Sequence, residues 1–119
     1  MVKDEKLSAA VLAAAKAIDG KFGQDIKVLD ISEISTLSDY FIIATAGNPN
    51  QLKAVCHEAE KALHQHGIRM LHSEGMSTGG WVLLDFGAVV IHMFGKDERD
   101  FYNLERVWGD AVNVDWEQM

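Results

Sequence analysis

Trp81-Val82-Leu83-Leu84-Asp85-Phe86-Gly87-Ala88-Val89-Val90-Ile91-His92-Met93-Phe94 is the stretch whose reading decides the fold. On either side of Asp85-Phe86-Gly87-Ala88 the residues favour strands, and Gly87 supplies the positive φ that a tight hairpin turn needs. The two strands must therefore be antiparallel. Alternation puts Val82, Leu84 and Phe86 on one face and Trp81, Leu83 and Asp85 on the other. On the partner strand Val90, His92 and Phe94 alternate against Val89, Ile91 and Met93. Beyond the hairpin, Asp97 can cap a helix and Asp100 stands where a capping box would use it. Phe101, Leu104 and Trp108 then recur at helical spacing, so a helix is expected over about 98–111.

Upstream of the hairpin the chain reads as alternating helices and strands. Leu7, Val11, Ala14, Ala15, Ile18 and Phe22 form the apolar stripe of a first helix over roughly 4–22, ended by Gly20 and Gly23. Ile26 to Ile31 is a strand candidate. Tyr40-Phe41-Ile42-Ile43-Ala44-Thr45-Ala46 is continuously apolar, too short for a buried helix, and reads as a central strand covered on both faces. Asn48-Pro49-Asn50-Gln51 is a helix start: a cap, a proline at the first helical position and a capping-box glutamine. Leu52, Val55, Cys56, Ala59 and Leu63 carry that helix to Gly67. Ile68 to His72 is a weaker strand, followed by a Gly-rich loop over 73–80. Residues 113–119 are polar except Val114 and Trp116 and are expected to fray. The expectation is one α/β domain over 1–119, with a mixed sheet of about five strands and flanking helices. The helix between the second and third strands favours a parallel crossover.

Composition narrows the function. The formal charge of −7 repels phosphate backbones, so direct DNA binding is not expected, whereas a basic protein partner suits the sign. Cys56 is the single cysteine, which excludes an intrachain disulfide and suits a reducing cytoplasm. The apolar run from Leu7 to Ala15 follows Asp4 and Glu5 and stops at Lys16, which is the wrong setting for a secretion signal. No segment approaches the ~20 apolar residues of a membrane span.

Several catalytic patterns start and then fail on context. His57-Glu58 opens like a zinc-protease motif, but Lys61 occupies the second histidine position. His57 and His64 lack an obvious third ligand, so no metal is expected. Gly75-Met76-Ser77-Thr78-Gly79 has the nucleophile-elbow spacing but leads into a strand rather than a helix. Asp85-Phe86-Gly87 resembles a kinase tripeptide without the companion lysine and loops. Gly47-Asn48 lacks the lysine and further glycines of a phosphate-binding loop. Cys56 on an apolar stripe reads as a small core residue, and His92 as a hydrogen-bonded core histidine. Asp30, Asp39 and Asp85 show no paired spacing for magnesium. No cofactor is expected. What survives is one strand face shared by Trp81, Leu83 and Asp85, with Met93 and Tyr102 expected nearby, which patterning alone reads equally as a contact surface or as a tryptophan covering core.

Ser38-Asp39-Tyr40-Phe41-Ile42-Ile43-Ala44-Thr45, Gly47-Asn48, Gln51, Glu74-Gly75, Trp81 to Gly87, Val90 to Phe94 and Arg99 to Trp108 together resemble the ribosomal silencing factor family, also called iojap-like. The likeness covers about residues 5–112. It implies a nucleotidyltransferase-like fold without that fold's active-site carboxylates, hence not an enzyme, and a homodimer when free. It also implies a cytoplasmic protein that binds a basic ribosomal protein of the uL14 type on the intersubunit face of the large ribosomal subunit. Bound there, it would block small-subunit joining and repress translation when nutrients are short. By position, Trp81, Leu83 and Asp85 are the foremost candidates for that contact, then Met93, Asp97, Arg99 and Tyr102. Pro49 and Ala88 depart from the family pattern, and Ala88 stands where an acidic residue is common. Two other readings remain open at this point: a large-subunit assembly factor using the same surface, and a nucleotidyltransferase-like enzyme using Asp30, Asp39 or Asp85.

Overall fold

The expected hairpin sits near the middle of a six-stranded sheet. The structure, a computed structural model, describes residues 5–36, 38–75, 80–96, 109 and 111–118. Strand β4 (Trp81–Asp85) and strand β5 (Val89–Gly95) pair antiparallel from Trp81 opposite Phe94 to Asp85 opposite Val90. The turn between them closes with Phe86 N–H donating to the Val89 carbonyl at 2.9 Å. Gly87 adopts φ 85°, and its N–H donates to Asp85 Oδ1 at 2.8 Å. The turn residue and the carboxylate expected to face a partner thus hold each other.

Strand β2 (Tyr40–Ala46) lies parallel to β5, and strand β1 (Gln24–Asp30) lies antiparallel to β2, with a register irregularity between Gln24 and Lys27. Strand β3 (His72–Glu74) borders β4, and strand β6 (Val112–Val114) borders β1, giving the order β3-β4-β5-β2-β1-β6. Helix α1 (Glu5–Gly20) precedes β1, and helix α2 (Pro49–Gln65) connects β2 to β3. Tracing the pairings from β2 through β5 and β4 makes β3 parallel to β2. The parallel crossover is therefore real, but two strands separate its ends.

Both helices cover one face of the sheet. Val11, Ala14, Ala15 and Ile18 of α1 and Leu52, Val55, Ala59 and Leu63 of α2 close on Val28, Ile42, Ala44, Val82, Leu84, Ile91 and Met93. Small residues on α1 let helix and sheet approach closely, and the large strand residues fill the layer. The opposite face carries a smaller cluster of Leu29, Ile31, Ile43 and Phe94, with Phe41, Trp81 and Ala111 packed against it. The central strand β2 is buried on both faces, as its continuous apolar run predicts.

The helix ends refine the sequence reading. Asn48 caps α2 by accepting the Gln51 N–H at 2.8 Å, with Pro49 in the first turn. Gln51 Oε1 accepts the Gly47 N–H at 2.6 Å, one residue earlier than a capping box would have it. Its amide nitrogen donates to the carbonyls of Lys21 and Phe22, at 3.2 and 2.9 Å, so one side chain ties the start of α2 to the end of α1. Helix α2 stops in a Schellman motif: Gly67 takes φ 80°, and Ile68 N–H reaches back to the Leu63 carbonyl at 2.9 Å. Helix α1 stops the same way, but neither expected glycine takes the left-handed position. Phe22 does, with φ 66°, while Gly23 N–H bonds the Ile18 carbonyl at 2.9 Å. Gly23 is needed for a different reason, because a Cβ there would collide with the Ile18 side chain.

The mixed sheet is as expected, with six strands among the described residues where about five were expected, and two local expectations need correction. The extra strand is β6, from the tail expected to fray: Val112, Asn113 and Val114 pair with Asp30, Leu29 and Val28. Trp116 helps fix the tail, its indole N–H donating to the Ile26 carbonyl at 3.3 Å. The strand placed over Ile68 to His72 forms over His72–Glu74 instead. Ile68 and Met70 are partly buried and pack against the core as side chains of a connection, not as strand residues. The helix expected over 98–111 falls almost wholly outside the described residues.

Candidate functional site: an aromatic sheet face

Strand β4 has a buried face and a half-buried face. Val82 and Leu84 point into the helix-covered core, whereas Trp81, Leu83 and Asp85 stand half-buried on the opposite face. The register then decides their neighbours. Leu83 pairs with His92 on β5 and with Glu74 on β3, and Asp85 pairs with Val90 and with His72. His92 in turn is opposite Ile43 on β2. The face therefore runs from the charged β3 edge, where His72 Nε2 and Glu74 Oε1 are 3.2 Å apart, inward to an aromatic cluster.

That cluster is built around Trp81. Its ring stacks on Phe94, with centroids 5.3 Å apart and planes inclined by 22°. Its indole Nε1–H donates to His92 Nδ1 at 3.2 Å. The imidazole lies edge-on to Phe41 at 4.8 Å. Burial drops the His92 pKa from 6.5 to about 4, so the ring is neutral near pH 7 and its Nδ1 lone pair is free to accept. The reading of His92 as a hydrogen-bonded core histidine holds.

Of the site residues expected from sequence, the structure brings together Trp81, Leu83 and Asp85. Met93 does not join them. It pairs with Val82 and is fully buried beneath the helices, on the far side of the sheet. The strand alternation had already separated Met93 from His92, and nearness in sequence is not nearness in space. Asp97, Arg99 and Tyr102 lie outside the described residues, as do Ser77 of the elbow-like pattern and Phe101, Leu104 and Trp108. Sequence reasoning missed Phe41 as part of the cluster and the His72–Glu74 pair beside Leu83 and Asp85. Both depend on pairings between distant strands, for which no local pattern gives a signal.

Among the described residues, Asp30, Asp39 and Asp85 each have separate surroundings. Asp30 Oδ1 accepts both the N–H and the hydroxyl of Ser32, at 3.0 and 2.7 Å. Asp85 holds the hairpin turn. Asp39 lines a separate cleft with Lys6, His66 and Arg69. Among the described residues no three of His, Cys, Asp and Glu come together as a group that could hold a metal ion. Cys56 is buried, and burial, with Glu60 nearby, pushes its thiol up to about 12, which removes the thiolate a nucleophile needs. No helix among the described residues is long and apolar enough to cross a membrane.

Fold and site together define a small α/β domain that presents an aromatic sheet face flanked by charge. The family model described as "Ribosomal silencing factor during starvation" matches residues 4–119. The "Ribosomal silencing factor RsfS" of Bacillus subtilis is 43% identical over 102 residues, covering 86% of this chain and 86% of the relative. That of Halalkalibacterium halodurans is 40% identical over 104 residues, covering 87% and 89%. A crystal structure of a protein from Chromobacterium violaceum superposes with a TM-score of 0.78 at 34% identity, over 92% of this chain and 88% of that one. The chain belongs to the ribosomal silencing factor family.

Proposed function

We propose that this protein silences ribosomes by occupancy: it docks on the large ribosomal subunit and keeps the small subunit from joining, which lowers translation when nutrients are limiting. Membership of the family over residues 4–119 is the observation that carries this reading. The partner surface is a basic ribosomal protein of the uL14 type, in the cytoplasm. The contact residues are Trp81, Leu83 and Asp85 on that face, together with Asp97, Arg99 and Tyr102. A net charge of −7 suits steering toward a basic partner, and a half-buried tryptophan suits an anchor. Blocking requires residence rather than turnover, so neither nucleophile nor metal has a role. In the free state the protein is a homodimer.

The test is binding of the purified protein to isolated large subunits. Trp81→Ala is expected to weaken it by at least ~2 kcal/mol, about thirtyfold, the loss typical of a hot-spot residue. Unaltered affinity in a folded variant would remove Trp81 from the contact.

A further inference from the structure

We propose that His92 is a positioning residue for docking: its Nδ1 clamps the Trp81 indole so that the anchor ring is already in place before the partner arrives. This rests on the reading of Trp81 as a contact. The bond is the one at 3.2 Å from indole Nε1–H to imidazole Nδ1. It works with the Phe94 stack, which supports the ring from a strand neighbour, Trp81 being directly opposite Phe94. Stacking alone leaves a ring able to slide and turn in its own plane. A directional bond to the indole edge removes that freedom. A tryptophan fixed in this way loses less rotamer freedom on binding, which is where preorganisation gains affinity.

The other imidazole nitrogen shows what the histidine is for. With Nδ1 accepting, the neutral ring carries its proton on Nε2. Nε2 is buried and has no hydrogen-bond partner among the described residues. An unsatisfied buried donor opposes folding, and a phenylalanine of similar size in this setting of Phe41 and Phe94 would avoid it. What histidine supplies beyond phenylalanine is the acceptor at Nδ1. The side chain is 5% exposed, so it acts on a partner through Trp81 and not by touching it.

Three variants of the full chain separate the roles, read by affinity for purified large subunits and by the Trp81 indole N–H resonance, assigned with Trp81→Phe. His92→Phe keeps a packed ring and loses the acceptor. It is expected to bind about five- to tenfold more weakly, within the cost of ordering one side chain on binding, and to shift the indole resonance. His92→Asn places its Oδ1 where Nδ1 was and is expected to recover both the resonance and most of the affinity. Combined with Trp81→Phe, His92→Phe should have no further effect. If His92→Phe does not fold, His92→Gln takes its place, since its amide sits at the Nε2 end, out of reach of the indole. A folded His92→Phe or His92→Gln protein that binds like wild type, while Trp81→Ala binds weakly, overturns the clamp and leaves the Trp81 contact standing. Equal loss in His92→Asn and His92→Phe also overturns it, because packing would then be the whole effect. Unchanged binding by Trp81→Ala overturns the contact and the clamp together.

Discussion

His92 is a basic group placed where a charge cannot easily exist. Its folded pKa of about 4, against an ordinary 6.5, comes from burial. Between those two values the unfolded chain takes up a proton that the folded chain refuses. Stability must therefore fall as the pH drops from 6.5 toward 4, and level off below that. The full contribution is on the order of 3 kcal/mol, from about 1.4 kcal/mol for each pKa unit. Urea unfolding of wild type and His92→Phe between pH 7 and pH 4 measures it, and the variant is expected to lose that slope. Phe22 makes the opposite case, a large apolar side chain exposed to 79% on a left-handed backbone. Glycine relieves that strain, though it also loosens the unfolded chain. Phe22→Gly should raise stability by about 0.5–1 kcal/mol, and a fall in the urea midpoint would mean that the ring packs more than its exposure allows.

Among the elements, those with a local chemical signature were legible in the sequence. Gly87 with strand alternation placed the β4–β5 hairpin, and Asn48, Pro49 and Gln51 placed the start of α2. The misplaced elements lack such a signature. β6 is three residues at a sheet edge, recognisable only through its pairing with Val28 to Asp30. Ile68 and Met70 carry a strand-like pattern because both cover the core from a connection. At the site, alternation put Trp81, Leu83 and Asp85 on one face. Choosing that face over its reverse rested on the family resemblance, while adding Phe41 needed the pairing of distant strands. The Gln51 bridge joins elements about thirty residues apart and escaped the sequence for the same reason. Gln51→Ala removes its bonds to Gly47, Lys21 and Phe22 and should cost about 1–2 kcal/mol, at the exposed end of the usual range. Thermal unfolding checks this, and a loss well below 1 kcal/mol would show that the two helix ends are held by packing alone.

For the whole molecule, the two faces of one sheet divide the work. The helix-covered face holds the larger core, with Met93 and Cys56 sealed inside it. The other face carries Trp81, supported by Phe94 and His92 and bordered by His72, Glu74 and Asp85. A domain arranged in this way can act by being in the way, given a partner that fits the face. The central claim is that occupancy of the large subunit through Trp81 prevents joining. Sedimentation or light scattering of purified subunits tests it most directly. Saturating wild-type protein should suppress the joined ribosome, and Trp81→Ala at the same concentration should leave joining largely intact. Joining that proceeds undiminished with saturating wild-type protein would contradict the account.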